Sequence, residues 1–254
     1  DWLKEFTEKS DISNNTFKEI SKSTHWYRKA KCATKFEDKL LYSWIALESI
    51  LKVSNSIRVN INPKDSSIIN VAKVICSSVM ARNKFYSYAN NMYTHLVMTT
   101  QQFNNYYGFT SKTIESAKLN IQPGDKIELT KFFVELPRLI AEINDEIFKR
   151  DLIALQSFYE DKKRIIDFKN LISDDVTLIY RLRNMIVHNA VCPEFIIKLY
   201  AYKAQFISGS LIQAVRYHYN KHGMDIGNTL LKIYSEYQIL ESNISSEIKR
   251  LKGI

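Results

Sequence analysis

The side chains best suited to chemistry lie in one run, Leu178-Ile-Tyr-Arg-Leu-Arg-Asn-Met-Ile-Val-His-Asn189. The run is apolar enough to be a packed helix, yet it carries Arg181, Arg183, Asn184 and His188 close to Pro193, where a helix must stop. Histidine moves protons near neutral pH, so it can deprotonate a ribose 2′-hydroxyl or protonate a leaving oxygen. Arginine presents a fixed fork of donors to the charge that gathers on a scissile phosphate. Asparagine can hold the imidazole or a phosphate oxygen. The chemistry these types allow is cleavage of an RNA phosphodiester, which needs no metal because RNA carries its own nucleophile. Spacing alone favours a blander reading: a histidine and a basic surface that complement the dipole at a helix C-terminus.

A helix turns ~100° per residue. With Arg183 at zero, Asn184, His188 and Arg181 fall between ~100° and ~160°, whereas Leu178, Ile179, Leu182, Met185 and Ile186 fall between ~200° and ~320°. A polar face and a packed face separate. Val176, Tyr180 and Val187 flank Arg183, which is unexpectedly apolar for solvent, and they predict a second packing surface such as another subunit.

The elements that position this run are helical. Residues 1–24 read as a polar lead-in. Ala30, Ala33, Phe36, Leu40, Leu41, Trp44, Ile45, Leu47 and Leu51 predict one long amphipathic helix from Trp26 to about Val53. Glu48 lies near its buried side and needs a partner, either a structural ion pair or a functional arginine that it orients. Asn55 to Asp65 is turn-rich, with room for an extended piece at Ile57 to Ile61. Ser66 or Ser67 opens a second helix through Met80, which Arg82 to Tyr88 either continue or follow with another. Residues from Thr99 to about 128 form an irregular insertion. Thr130 to about Tyr159 is helical, interrupted or bent at Pro137. A charged connection, Glu160 to Asp167, precedes the motif helix, for which Ser173, Asp174 and Asp175 are the expected cap. Pro193 opens the next helix, which ends before Gly223. A shorter helix covers Asp225 to Leu240, and Ser246 to Ile254 is a basic tail. With no strand pair and no internal repeat, the expected fold is all-α: an up-and-down bundle over residues 25–222, with additional helices and residues 223–254 packed on the same domain.

Composition narrows the setting. A formal charge of +9 suits an anionic partner such as nucleic acid. Four prolines and six glycines with 45% apolar residues argue against long disorder. Cys32, Cys76 and Cys192 are odd in number and widely spaced, which speaks against a disulfide framework or a thiolate metal site and for a reducing, cytoplasmic setting. No apolar run reaches the ~18 residues that span a bilayer. The first residue is Asp, not Met, so an upstream sensor domain or regulatory partner is compatible with the sequence. His218 and His222 stand four apart, but Gly223 follows and no Glu or Cys ligand is near in sequence, so no metal and no cofactor is expected. No phosphate-cradling glycine loop or nucleophile elbow occurs. The many tyrosines fall at helical spacings and read as packing.

Arg183-Asn-Met-Ile-Val-His188 resembles the R-x(4-6)-H signature of the HEPN superfamily, including a polar residue directly after the arginine. The stretch from Lys35 to Leu51, with its aliphatic-Glu-x-aliphatic ending around Glu48, is similar to the first core helix of the ApeA-like branch. The resemblance spans Trp26 to His222 and leaves Thr99 to Pro123 unmatched. It implies a homodimeric, metal-independent endoribonuclease in which the motif helices of two subunits meet at one composite cleft. Arg183 would then stabilise the phosphate and His188 would transfer a proton or hold the 2′-hydroxyl. Asn184 would support both, and Glu48 would orient Arg183. The products would carry a 2′,3′-cyclic phosphate and a 5′-hydroxyl. A toxin or phage-defence effector acting on tRNA or mRNA is the implied biology. Arg181, Arg216, His218 and Lys221 are further candidates to touch RNA. Two rival readings stay open: a non-catalytic helical module that binds RNA or protein, and a DNA-binding regulator, which lacks a persuasive recognition helix here.

Overall fold

A computed structural model describes residues 14–103, 136–141, 143, 145–188 and 191–251. The fold is all-helical, and no strand occurs among the described residues. The elements are α1 (Asn14–Cys32), α2 (Phe36–Leu51), α3 (Asn55–Ile61), α4 (Ile68–Phe103), α5 (Glu146–Glu160), α6 (Lys162–Val187), α7 (Glu194–His222) and α8 (Ile226–Leu251). Residues 136–141 add a short helical stretch. No helix among the described residues is long and apolar enough to cross a membrane.

The described residues up to Ala81 and from Asp167 to Ile239 form one compact unit, which contains the motif; those from Arg82 to Ile166 and from Leu240 onward form a second. In the first unit α1, α2 and α7 pack on one another. Its core holds Trp44, Leu47 and Ile50 of α2, Ile172, Val176 and Ile179 of α6, Ile207 and Leu211 of α7, and Leu230 and Ile233 of α8. Burying a Leu, Ile or Val side chain contributes about 1.5–3 kcal/mol. These contacts therefore outweigh any surface ion pair in fixing how the helices sit.

The long helix expected from Trp26 to Val53 is two helices. Ala33, Thr34 and Lys35 break it, and Lys35 adopts extended backbone (φ −87°, ψ 138°) before α2 begins. The chain then doubles back. Ser23 Oγ donates to the Ala46 carbonyl at 2.7 Å and Lys39 Nζ to the Ala30 carbonyl at 3.0 Å. Each pair is equally far from the Thr34–Lys35 turn, as an antiparallel hairpin of helices requires. The buried Lys39 ammonium thus satisfies a carbonyl in the last turn of α1.

Other expectations change in the same way. Asn55 to Ile61 is helix, not an extended piece, because Ile57 and Ile61 stand one turn apart and both turn toward the core. A Cβ at Gly227 would run into the tip of the Ile57 side chain, so α8 starts directly against α3. The helix opened at Ile68 continues through Arg82 and Tyr88 to Phe103, which takes in the first residues of the expected irregular insertion. Its remainder, 104–128, lies outside the described residues, as do 1–13 and the 130–135 part of the Pro137 helix. Beyond Pro137 the helix does not run on unbroken to Tyr159. It restarts at Glu146, where Asp145 accepts the Phe148 amide at 2.8 Å. Ser173 to Asp175 lie inside α6, not at its start. The start is at Asp161, whose carboxylate accepts the Lys163 amide at 3.0 Å. At the other end of the unit, α7 closes on Gly223 in the left-handed conformation (φ 64°), as the sequence indicates. The last helix then extends to Leu251, beyond the expected Leu240, taking in part of the basic tail.

The three cysteines are free: Cys32 exposed, Cys192 half-buried and Cys76 in the core. Burial pushes the Cys76 thiol up to about 12 from its ordinary 9.0, so it stays protonated in the folded state. Because the folded value is raised, the stability linked to this thiol is complete below pH 9 and fades as pH climbs toward about 12. In native buffer at pH 8 an aromatic disulfide reagent should label Cys32 promptly and Cys76 only after unfolding. Equal labelling of all three native thiols would place Cys76 outside the core.

Candidate functional site

Helix α6 reaches the surface with two faces. Val176, Ile179 and Leu182 are buried, whereas Arg181 and His188 are exposed and Arg183 and Asn184 half-buried. Leu182 packs with Leu40 of α2 and Ala201 of α7, with Met185, Ile186, Cys192 and Ile196 around them. This small cluster seats the last turns of α6 against the first turns of α7. Farther back along α6, Asp175 is buried and accepts Lys203 Nζ of α7 at 2.7 Å. The acid expected to cap α6 instead ties it to α7.

Arg183 Nη1 donates to Asn184 Oδ1 at 2.9 Å. One donor of the guanidinium fork is thereby engaged, while the asparagine amide keeps its NH2 group for another acceptor. His188 sits one residue past the helix, its backbone amide closing on the Asn184 carbonyl at 3.0 Å. No hydrogen bond or ion pair joins its imidazole to Arg183 or Asn184 among the described residues. The structure therefore brings Arg183 and Asn184 into contact and leaves His188 at the same helix end as a separate, exposed group. Asn189 lies outside the described residues.

Glu48 does not contact Arg183. Its Oε1 accepts the indole Nε1–H of Trp44 at 2.7 Å and its Oε2 lies 3.8 Å from Lys52 Nζ. A fully buried indole needs an acceptor, and Glu48 supplies it from one turn along the same helix. Trp44 in turn packs on Tyr180 of α6, with ring centroids 5.2 Å apart. Glu48 thus bears on the motif helix through packing alone.

The flank of Arg183 is also different from expectation. Val176 is fully buried in the core and Tyr180 packs against that core. Of the three flanking residues only Val187 is exposed. The predicted second packing surface on α6 is therefore largely the unit's own interior.

The further RNA-contact candidates do not gather around the motif. Arg216 and Lys221 lie 15 and 20 positions beyond Ala201 on α7, more than about 20 Å along the helix axis from the motif end. Lys221 Nζ donates to Tyr217 Oη at 2.9 Å. His218 is corrected outright: it is 1% exposed, 3.5 Å from Glu236 of α8 and stacked on His222 with centroids 5.9 Å apart. A side chain so enclosed cannot meet a nucleic acid. Nothing in the local sequence of α7 points to Glu236, because α8 delivers it from the next helix. Of the four, only Arg181 shares the motif end. Among the described residues no group of three or more His, Cys, Asp or Glu side chains could hold a metal ion.

No protein-family model, no curated protein and no solved structure matches the chain.

If Glu48 serves the indole, Glu48→Gln keeps an acceptor and should unfold in urea close to wild type. Glu48→Ala orphans a buried donor and should cost about 1–3 kcal/mol. Equal stability of the two variants would contradict this role.

Proposed function

We propose that the chain is a metal-independent endoribonuclease of the HEPN type, cutting RNA by attack of a ribose 2′-hydroxyl. The observation that carries this reading is the Arg183–Asn184 hydrogen bond at an exposed helix end that also bears Arg181 and His188. A guanidinium held on its neighbour's amide is partly pre-oriented and keeps most of its donors for a phosphate. An exposed imidazole at the same helix end can take or give the proton. The net charge of +9 favours the approach of a polyanion. Arg183 stabilises the phosphate, His188 transfers the proton and Asn184 positions Arg183. Glu48 has a structural part only.

One Arg and one His make half of the composite site that the HEPN resemblance implies, so the active form in this reading is a homodimer. A toxin or phage-defence effector acting on tRNA or mRNA in the cytoplasm, governed by a sensor domain or regulatory partner, is the biology that goes with it.

Purified protein incubated with total RNA in EDTA should cleave it and leave 2′,3′-cyclic phosphate ends. Arg183→Ala and His188→Ala should each slow cleavage by about 10²–10⁴-fold without changing thermal unfolding. Binding of RNA with no cleavage would instead assign the chain to the non-catalytic module. Cleavage unchanged in both variants would remove the site from Arg183 and His188.

A further inference from the structure

Helix α7 is apolar on two opposite faces. One face, with Ala204, Ile207 and Leu211, is in the core. The other is open: Phe195 is 73% exposed, Leu199 52%, Tyr202 52% and Phe206 66%. These four follow at steps of four, three and four residues, which at ~100° per residue confines them to an arc of about 60°. The stripe runs ~16 Å along the helix at 1.5 Å per residue. Aromatic side chains bury 150–250 Å² each, so the stripe offers roughly 500 Å² of apolar surface. That is at the upper end of what a soluble monomer shows in one patch and more than half of the ~800 Å² per partner in a stable interface.

We propose that a second copy of this chain covers the stripe, with the two α7 helices antiparallel across a two-fold axis. The pattern itself selects this occupant. Steps of four, three and four read the same in both directions, and a phenylalanine stands at each end. A two-fold interface sets one patch against its own copy, so the patch must complement itself. Antiparallel pairing puts Phe195 against the partner's Phe206 and Leu199 against the partner's Tyr202, a ring in every layer.

The rings select the direction. A parallel pair in register sets Leu199 against the partner's Leu199 and leaves that layer without a ring, whereas the antiparallel pair puts a ring in each layer. The neighbouring lysines are engaged within the chain, Lys203 on buried Asp175 at 2.7 Å and Lys198 over the Phe36 ring. An RNA strand is the competing occupant, but the stripe is a poor stacking platform. Leu199 interrupts the rings, and the Tyr202 ring already packs near Phe36 (5.9 Å) and Lys39 Nζ (5.5 Å). The stripe carries this inference whether or not Arg183 and His188 cleave RNA; it locates the second copy that the ribonuclease reading requires.

Light scattering at tens of micromolar should give a dimer for wild type and for Val187→Glu, and half that mass for Phe195→Glu and Phe206→Glu. All three positions are exposed, so circular dichroism should be unchanged. In a Cys32→Ser, Cys192→Ser background, mixed Phe195→Cys and Phe206→Cys chains should form a disulfide-linked dimer, and Phe195→Cys alone should not. A monomeric wild type, or a dimer that survives both glutamates, overturns the proposal; in the first case loss of RNA binding by the glutamate variants would give the stripe to RNA. Self-linking by Phe195→Cys overturns the antiparallel arrangement. A dimer that fails to cut RNA would sink the ribonuclease reading and leave this interface standing.

Discussion

The direction in which Arg183, Asn184 and His188 can point is set on the same helix by Val176, Ile179 and Leu182, which are buried. A helix that has committed those three side chains to a core cannot rotate without exposing them. Each such exposure costs about 1.5–3 kcal/mol, more than a surface polar contact returns. Trp44 against Tyr180 and Lys203 on Asp175 restrict the helix from two further sides. The polar end of α6 is thus oriented by apolar packing and by one buried ion pair, none of which touches the candidate site. Glu48 belongs to this support. By accepting the indole N–H it lets Trp44 be fully buried, and so holds in place the ring against which Tyr180 packs.

The helical class and the separation of the two faces of α6 are legible in the sequence, because the 3.6-residue period governs both and does not depend on which helix lies opposite. The break between α1 and α2 was legible as well, but in charge instead of hydrophobicity. Lys29 and Lys31 close α1 and Glu37 and Asp38 open α2, the polarity that helix dipoles favour at an end and a beginning. Apolar periodicity runs straight across Ala33, Thr34 and Lys35 because both helices face one core. Ser173 to Asp175 mislead for the converse reason: side chains suited to a cap also suit a helix interior when a cation such as Lys203 waits on the neighbouring helix. The partners of Glu48, His218 and Asp175 depend on packing. Sequence can show that a half-buried carboxylate needs a partner, but not that the partner is the indole one turn away.

Helix α7 shows how one element can serve three purposes along its length. Its first turns join Ile196 and Ala201 to the motif end of α6, its middle fills the core, and its last turns place His218 beside Glu236. The basic residues at its far end are therefore no extension of the motif. A positive charge spread over a protein in this manner aids capture of an anion from solution, and does little to decide which atom of that anion reacts. That choice falls to groups within hydrogen-bond reach, and among the candidates only Arg181, Arg183, Asn184 and His188 share one helix end.

The apolar stripe and the polar motif end place opposite demands on any partner. Phe195 to Phe206 gain by losing water, whereas Arg181 and Arg183 lose heavily if they are dehydrated without an anion. Val187 and Val191 lie between the two in sequence and are both exposed, Val191 by 95%. A protein seated on the stripe must either stop short of the arginines or bring acidic groups to them. A second copy brings the same cations instead. Where two such ends approach within the ~8–10 Å over which charges are felt at physiological salt, they repel, and the repulsion favours an open, hydrated gap over a closed contact. A gap lined by guanidinium groups from both sides, and kept from collapsing by them, is a place where a phosphodiester lowers the energy of the assembly instead of raising it. Self-association through the stripe and anion binding at the motif would then be coupled: the first creates a concentration of positive charge that the second relieves.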